Sequence, residues 1–212
     1  MNDNSIFEDL FVLEIANNHW GRVERGKKII HEYSRVIRHN NVKAAIKFQF
    51  RDVDSFIHPD FADREDMRYV WKTKQTKLSE EQLGELVEYT RQQGMHPMAT
   101  CFDEKSVDLF QRLDLDIMKV ASSDINDWPL LEKIATLRMP TIVSSGGSSL
   151  KDVDDIVSFF KKKNIPLALN HCVSLYPSED FELELNQIDF LKKRFPDTCL
   201  LYTSDAADDT RS

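Results

Sequence analysis

The stretch Leu115-Asp-Ile-Met-Lys-Val-Ala-Ser-Ser-Asp124 decides the fold. Its apolar run, Leu115 to Val120, has the length and composition of a buried strand and ends in a lysine, two hydroxyls and a carboxylate. Asp127 and Pro129 then open a helix that carries Leu130, Leu131 and Ile134 on one face. The same order repeats downstream. Pro140 to Ser144 is a second short run, closed by Ser144-Ser-Gly-Gly147. Ser149 starts a helix with Val153, Ile156, Val157 and Phe160 at i, i+3, i+4 and i+7 spacing. Pro166 to Asn170 is a third run, and the polar cluster His171 to Tyr176 follows it. A last helix is expected from about Leu183 to Phe195.

The same alternation holds toward the N-terminus. Phe11 to Ala16 reads as a strand ending around Glu14, and Ile29, Ile30, Tyr33, Val36 and Ile37 recur at helical spacing. Ala44 to Phe50 is a strand carrying Lys47 and Gln49, and Met95 to Thr100 is another. Between them lies a long connection, Arg51 to Lys77, with one short helix expected after Asp63; connections of this length often serve as lids or binding loops. Ser79 to Gln82 fits a capping box, Gly94 stops the helix it opens, and Asp103 can cap the next one. Strand and helix in strict turn imply an α/β fold with a parallel sheet. With reactive clusters at the strand C-termini, the expectation is an incomplete (β/α)8 TIM barrel of about six βα units. A doubly wound sheet is the structural rival, but Asn17-Asn-His-Trp-Gly21 is not its glycine-rich phosphate turn. Residues 1–198 are assigned to the barrel, and 199–212 are set aside as an unrelated tail. An open barrel of this kind would expose the edges of its first and sixth strands.

The chain has 212 residues, 41% hydrophobic and 30% charged, ordinary for one soluble domain. A net charge of -8 argues against a nucleic-acid surface but does not exclude a local basic pocket. No apolar run is long enough to span a bilayer, and the start, Met1 to Asp9, is unlike a signal peptide. Three cysteines, Cys101, Cys172 and Cys199, form no disulfide framework, so a cytoplasmic location is expected.

Each cluster alone has two readings. Lys47 either reaches solvent from a strand end or faces a site. Lys119, flanked by Met118 and Val120, either points to an outer face or sits in a barrel mouth, where a buried ammonium needs an anionic or polar partner. Ser144-Ser-Gly-Gly147 is either a plain helix start or a set of donors for a phosphate. Cys101 reads more readily as a small buried hydrophobe than as a reactive thiol. His19 and His171 read as hydrogen-bonded structural residues.

Taken in order, the clusters resemble the N-acetylneuraminate (sialic acid) synthase family from about Phe11 to about Asp197. Glu14-Ile-Ala-Asn-Asn-His-Trp-Gly21 is similar to the family's E-I-G-x-N-H-x-G, Lys47-Phe-Gln49 to K-F-Q, and Ala99-Thr-Cys-Phe-Asp103 to S-T-P-F-D. Lys119-Val-Ala-Ser-Ser-Asp124 resembles K-I-A-S-G-E, Ser144-Ser-Gly-Gly147 resembles S-T-G-M, and His171-Cys-Val-Ser-Leu-Tyr-Pro177 resembles H-C-x-x-x-Y-P.

The resemblance implies condensation of phosphoenolpyruvate with an N-acylamino sugar of the N-acetylmannosamine type, giving a nonulosonic acid and phosphate. Carried over by motif, Lys47, Thr100, Lys119, Ser122, Ser144 and Ser174 would hold phosphoenolpyruvate. Glu14, Gln49 and Tyr176 would contact the sugar, and Phe102 joins the substrate-binding set. Glu14, Lys119 and Asp124 are the expected catalytic residues. Two lysines and several hydroxyls suit a small acid bearing a carboxylate and a phosphate. Three departures stand out. Asp124 replaces a glutamate and withdraws its carboxylate by one methylene, Cys101 replaces a proline, and Gly147 replaces a methionine.

The family also uses a divalent cation, Mn²⁺ or Mg²⁺, as a Lewis acid on the sugar aldehyde. Its metal-binding histidines, in G-x-S-D-H-T and E-R-H, are not matched: Ala206 follows Ser204-Asp205 where a histidine would stand. No metal ligand is therefore assigned in this chain. An antifreeze-like domain, which completes the partner's site in a homodimer of the full-length family enzyme, is not matched either. The expectation is a truncated and inactive form of such a synthase. The rivals are a lysine Schiff-base aldolase on the same barrel and a non-catalytic sugar- or anion-binding remnant.

Overall fold

The computed structural model describes residues 4–64, 66–175 and 178–202. The chain divides into two compact units, one of residues 11–115 and one of residue 116 onward together with the first ten residues.

The 11–115 unit begins with β1 (Leu10–Glu14), α1 (Val23–Asn40) and β2 (Lys43–Phe50). Helix α1 buries Ile30, Ser34 and Ile37 and ends where Asn41 turns left-handed at φ 50°. The long connection holds α2 (Val53–Phe56), a 3-10 turn at Pro59–Phe61 and α3 (Arg68–Gln75), more helix than the single short one expected. Helix α4 (Glu80–Gln92) starts in the expected capping box: Gln82 N–H donates to Ser79 Oγ at 3.3 Å, and Ser79 N–H donates to Gln82 Oε1 at 2.9 Å. β3 (His96–Cys101) and α5 (Glu104–Arg112) complete the unit. β2 and β3 run parallel, with Lys47 opposite Met98 and Gln49 opposite Thr100.

The other unit contains β4 (Ile117–Val120), α6 (Trp128–Thr136), β5 (Thr141–Ser144), α7 (Leu150–Lys162), β6 (Leu167–His171), α8 (Asn186–Arg194) and β7 (Cys199–Tyr202). β4 pairs with β5, β5 with β6 and β6 with β7, all parallel. Asp127 and Ser149 cap α6 and α7 as expected, and Pro129 sits in the first turn of α6. Strand burial is nearly complete: Met118, Val120, Val143, Ala168 and Leu169 are all buried.

One boundary is corrected. Cys199 to Tyr202, set outside the fold in the sequence reading, forms β7 and pairs with β6 from Ala168 opposite Cys199 to His171 opposite Tyr202. The sixth strand is therefore not an edge. The polar residues beyond Tyr202 disguised a four-residue apolar run that follows a helix just as the earlier strands do. No helix among the described residues is long and apolar enough to cross a membrane.

Candidate functional site

In the 11–115 unit, Glu14, the last residue of β1, and Lys47, within β2, form a buried ion pair. Lys47 Nζ lies 2.6 Å from Glu14 Oε2, and the two side chains are only 7% and 11% exposed. The other carboxylate oxygen, Glu14 Oε1, accepts the Ala16 N–H at 2.9 Å, where the chain turns at a positive φ of 42°. Lys47 therefore faces a site-like carboxylate and does not reach solvent. Strand periodicity puts Gln49 on the same face as Lys47, and the parallel register sets the buried Thr100 beside Gln49.

Beyond Gln49 the backbone is tied to the following segment. Phe102 N–H donates to Phe50 O at 3.1 Å. Asp103 accepts twice, from Ser106 N–H at 2.7 Å and from Asp52 N–H at 2.7 Å. The residue between, Arg51, donates from Nη2 to Gln49 Oε1 at 2.7 Å and stacks its guanidinium over Phe102 and Phe56, 4.5 Å and 5.0 Å from the ring centroids. The sequence reading missed Arg51. Its signal there was a cation directly after Phe50, the last residue of the strand, and two residues beyond Gln49.

His19 is buried, and its Nδ1 accepts the Gly21 N–H at 3.1 Å. Burial lowers its pKa to about 4, so the ring is neutral and its proton sits on Nε2. Gly21 itself is required: its φ is +67°, and a Cβ would stand 2.6 Å from Gln75 O. Cys101 is fully enclosed, and burial pushes its thiol pKa up, which makes it a small buried hydrophobe and not a nucleophile.

In the other unit, three adjacent strand ends build a second polar cluster. The β4–β5–β6 registers place Lys119, Ser144 and Asn170 on one face. Ser144 Oγ accepts from Lys119 Nζ at 2.6 Å and from Asn170 Nδ2 at 3.0 Å; Lys119 Nζ also donates to Val120 O at 2.8 Å. All three side chains are buried. A hydroxyl that accepts twice has only its proton left to give, so Ser144 acts as a donor. Asn170 is a second residue the sequence reading missed; a polar residue closing an otherwise apolar buried strand was the available signal.

Ser122 follows β4 in a 3-10 turn, and its hydroxyl lies 3.3 Å from that of Ser174. Asp124 closes that turn, where its Oδ1 accepts the Ser123 hydroxyl at 2.8 Å. The Ser144-Ser-Gly-Gly147 turn is held from within. Ser145 N–H donates to Asn170 O at 3.0 Å, and α7 is capped by Ser149 together with the carboxylate of Asp152. A Cβ on Gly146 would fall 2.5 Å from Ser174 Oγ, so this glycine lets the β5 and β6 loops close on one another. His171 Nε2 lies 3.1 Å from Leu183 O, a structural contact. Tyr176 falls outside the described residues.

Among the described residues, no group of three or more His, Cys, Asp or Glu side chains is placed to hold a metal ion. The two motif histidines are engaged by Gly21 and Leu183.

The NeuB family model matches residues 39–206, well over half of the chain. The Drosophila melanogaster N-acetylneuraminate-9-phosphate synthase is 30% identical over 91% of this chain and 52% of its own length. The chain thus spans about half the length of the curated relatives it matches. A crystal structure assigned to spore coat polysaccharide biosynthesis protein E of Chromobacterium violaceum is 36% identical, with a TM-score of 0.89 over 92% of this chain and 58% of that one. The Leptospira borgpetersenii N-acetylneuraminic acid synthetase structure, solved with citrate, has a TM-score of 0.79 over 94% of this chain and 73% of its own, and at 24% identity it speaks for the fold alone. The strand-helix order and these likenesses bear out the incomplete α/β barrel, and the chain belongs to the NeuB family.

Proposed function

We propose that this chain carries substrate-binding residues of a synthase that condenses phosphoenolpyruvate with an N-acylamino sugar of the N-acetylmannosamine type, releasing phosphate and a nonulosonic acid. The observation that carries this reading is the buried donor cluster Lys119–Ser144–Asn170 at the ends of three parallel strands. A lysine ammonium, a hydroxyl already accepting twice and a neighbouring pair of serine hydroxyls, Ser122 and Ser174, suit a small acid rich in acceptor oxygens. Lys47 and Thr100 complete the phosphoenolpyruvate set, Glu14, Gln49 and Tyr176 are assigned to the sugar, and Phe102 joins the substrate-binding residues.

In the reaction, the methylene carbon of phosphoenolpyruvate forms a bond to the sugar aldehyde carbon. Water then adds at the former enol carbon, and phosphate departs. Lysine charges beside the carboxylate and phosphate steady the cationic carbon between those steps, and fixing the two reactants together supplies much of the acceleration. Glu14, Lys119 and Asp124 are the residues assigned to the chemistry. The Mn²⁺ or Mg²⁺ that polarises the aldehyde in the family enzymes is assigned no ligand here. A cytoplasmic homodimer is the assembly proposed for the full-length synthase.

Calorimetric titration with phosphoenolpyruvate tests the reading. Saturable one-site binding is expected, weakened at least about tenfold by Lys119→Met. Binding that Lys119→Met leaves intact removes the proposal. Treatment with pyruvate and borohydride is expected to leave the chain unmodified; an adduct on Lys47 or Lys119 would establish the Schiff-base aldolase instead.

A further inference from the structure

Asn170 puts an amide into the apolar run of β6 and leaves it only 6% exposed. An amide carries two N–H donors and an oxygen that accepts, and burying such a group is costly where those capacities go unmet. One of them is met. Asn170 Nδ2 donates to Ser144 Oγ at 3.0 Å, the oxygen that Lys119 Nζ reaches at 2.6 Å. The backbone holds this arrangement in register: Ser144 lies opposite Asn170, and Ser145 N–H donates to Asn170 O. With Nδ2 on Ser144, the side-chain oxygen Oδ1 is turned away from that hydroxyl. Oδ1 has no hydrogen-bond partner among the described residues, and it is not sealed from solvent. A nearly buried acceptor without a donor, on the strand face that carries Lys119, points to a ligand that brings a donor of its own.

We propose that Asn170 is a ligand-binding residue of this cluster, that its side-chain oxygen accepts a hydrogen bond from a bound oxyanion, and that the cluster therefore prefers an oxyanion that keeps a proton, hydrogen phosphate, over one that has none. The assignment rests on the function proposed above and deepens it, because phosphate is the group released there. The Lys119 ammonium supplies charge and donors, which any small dianion satisfies. An acceptor discriminates where a donor does not. Against the bare oxygen of a proton-free dianion, Oδ1 meets a second acceptor and no bond forms. Against the P–O–H of hydrogen phosphate, it gains one. The fully ionised phosphoryl group of phosphoenolpyruvate lacks that proton. When the bond from carbon to phosphate oxygen breaks, the electron pair leaves with phosphate. The hydroxyl left by the added water becomes the keto oxygen, and the proton it sheds makes the product hydrogen phosphate. Asn170 thus favours the occupant after bond cleavage over the occupant before it.

The test titrates the full chain with sodium phosphate and with sodium sulfate, at equal ionic strength in mildly alkaline buffer. Both anions are then tetrahedral dianions, and they differ by the proton. Phosphate is expected to bind about tenfold or more tightly than sulfate and to compete with phosphoenolpyruvate. Asn170→Leu, which removes the acceptor at similar volume, is expected to bring the ratio to about one. Lys119→Met is expected to weaken both anions. A general loss of fold also weakens both alike and leaves their ratio unmoved. If Asn170→Leu does not fold, Asn170→Met carries the same arm with an unbranched side chain. A preference for phosphate that survives the loss of the amide overturns the inference. So does a wild-type ratio near one, the result for an amide that offers its N–H groups instead, and so does a chain that binds neither anion. In each of these cases, phosphoenolpyruvate binding that Lys119→Met weakens leaves the functional reading standing. A wild-type chain that does not take up phosphoenolpyruvate overturns that reading itself.

Discussion

Lys47 and Lys119 both lie in the C-terminal halves of apolar strands, both are buried, and the contacts described for them differ in kind. In the 11–115 unit, Lys47 meets the carboxylate of Glu14 at 2.6 Å. In the other unit, the hydrogen bonds described for Lys119 run to neutral oxygens, Val120 O and Ser144 Oγ. An enclosed ion pair is balanced only while both members remain charged, so losing one leaves an uncompensated ion in a poor solvent. The Ser144 hydroxyl is a neutral acceptor, so removing it costs about one hydrogen bond for each of its two donors. The two regions should therefore differ sharply in how they tolerate truncation. Glu14→Ala is expected to destabilise the chain by about 3–5 kcal/mol, read as a fall in urea midpoint with the slope unchanged. A loss under about 1 kcal/mol would mean that the pair is solvated and the contrast between the lysines is unreal.

Acid should expose the same asymmetry without any mutation at the lysines. His19 lies in the unit that holds the Glu14–Lys47 pair, and burial lowers its pKa from the ordinary 6.5 to about 4. Between those values the unfolded chain binds the proton and the folded chain refuses it, so stability falls as pH drops from about 6.5 to about 4. At about 1.4 kcal/mol per unit the loss approaches roughly 3 kcal/mol. His19→Gln is expected to flatten that part of the stability–pH curve, and an unchanged slope would show that another group is responsible. Ser144→Ala comes next in size. It strips Lys119 and Asn170 of a shared acceptor and is expected to cost about 1–3 kcal/mol, less than Glu14→Ala. A cost equal to that of Glu14→Ala would erase the distinction between the ion pair and the shared hydroxyl.

The sequence made most of this architecture legible because strand, polar cluster and capped helix repeat with little variation. Ser79, Asp103, Asp127 and Ser149 all cap the helices they were read to cap. β7 escaped because a four-residue apolar run has no periodicity of its own, and the polar residues after it argued against continuation. The face on which Lys47 and Gln49 lie follows from strand alternation, yet the Glu14 partner required knowing that β1 ends beside Lys47. Arg51 and Asn170 were not singled out for a related reason. Each acts through a contact whose geometry only the folded chain fixes: a stack on two rings for one, a shared hydroxyl for the other. Asp124, whose carboxylate is a methylene shorter than the glutamate expected there, is placed in the turn after β4, but placement alone gives it no role.

The smallest stability effect carries the most functional information. Ser174 is exposed, and its described hydrogen bond is the 3.3 Å contact with the hydroxyl of Ser122, so a methyl in its place disturbs little of the folded chain. Ser174→Ala should change stability by no more than about 0.5 kcal/mol, the range of ordinary surface substitutions. Any loss of phosphoenolpyruvate affinity in that variant can then be assigned to the ligand and not to a weakened fold, which is a separation that Glu14→Ala and Ser144→Ala cannot offer. A threefold or greater loss, measured by titration beside an unchanged melting curve, would extend the Lys119 cluster outward to the Ser122–Ser174 pair. Unchanged affinity would confine phosphoenolpyruvate to the buried donors and make the serine pair a loop closure alone, which the close approach of Ser174 to Gly146 already provides for.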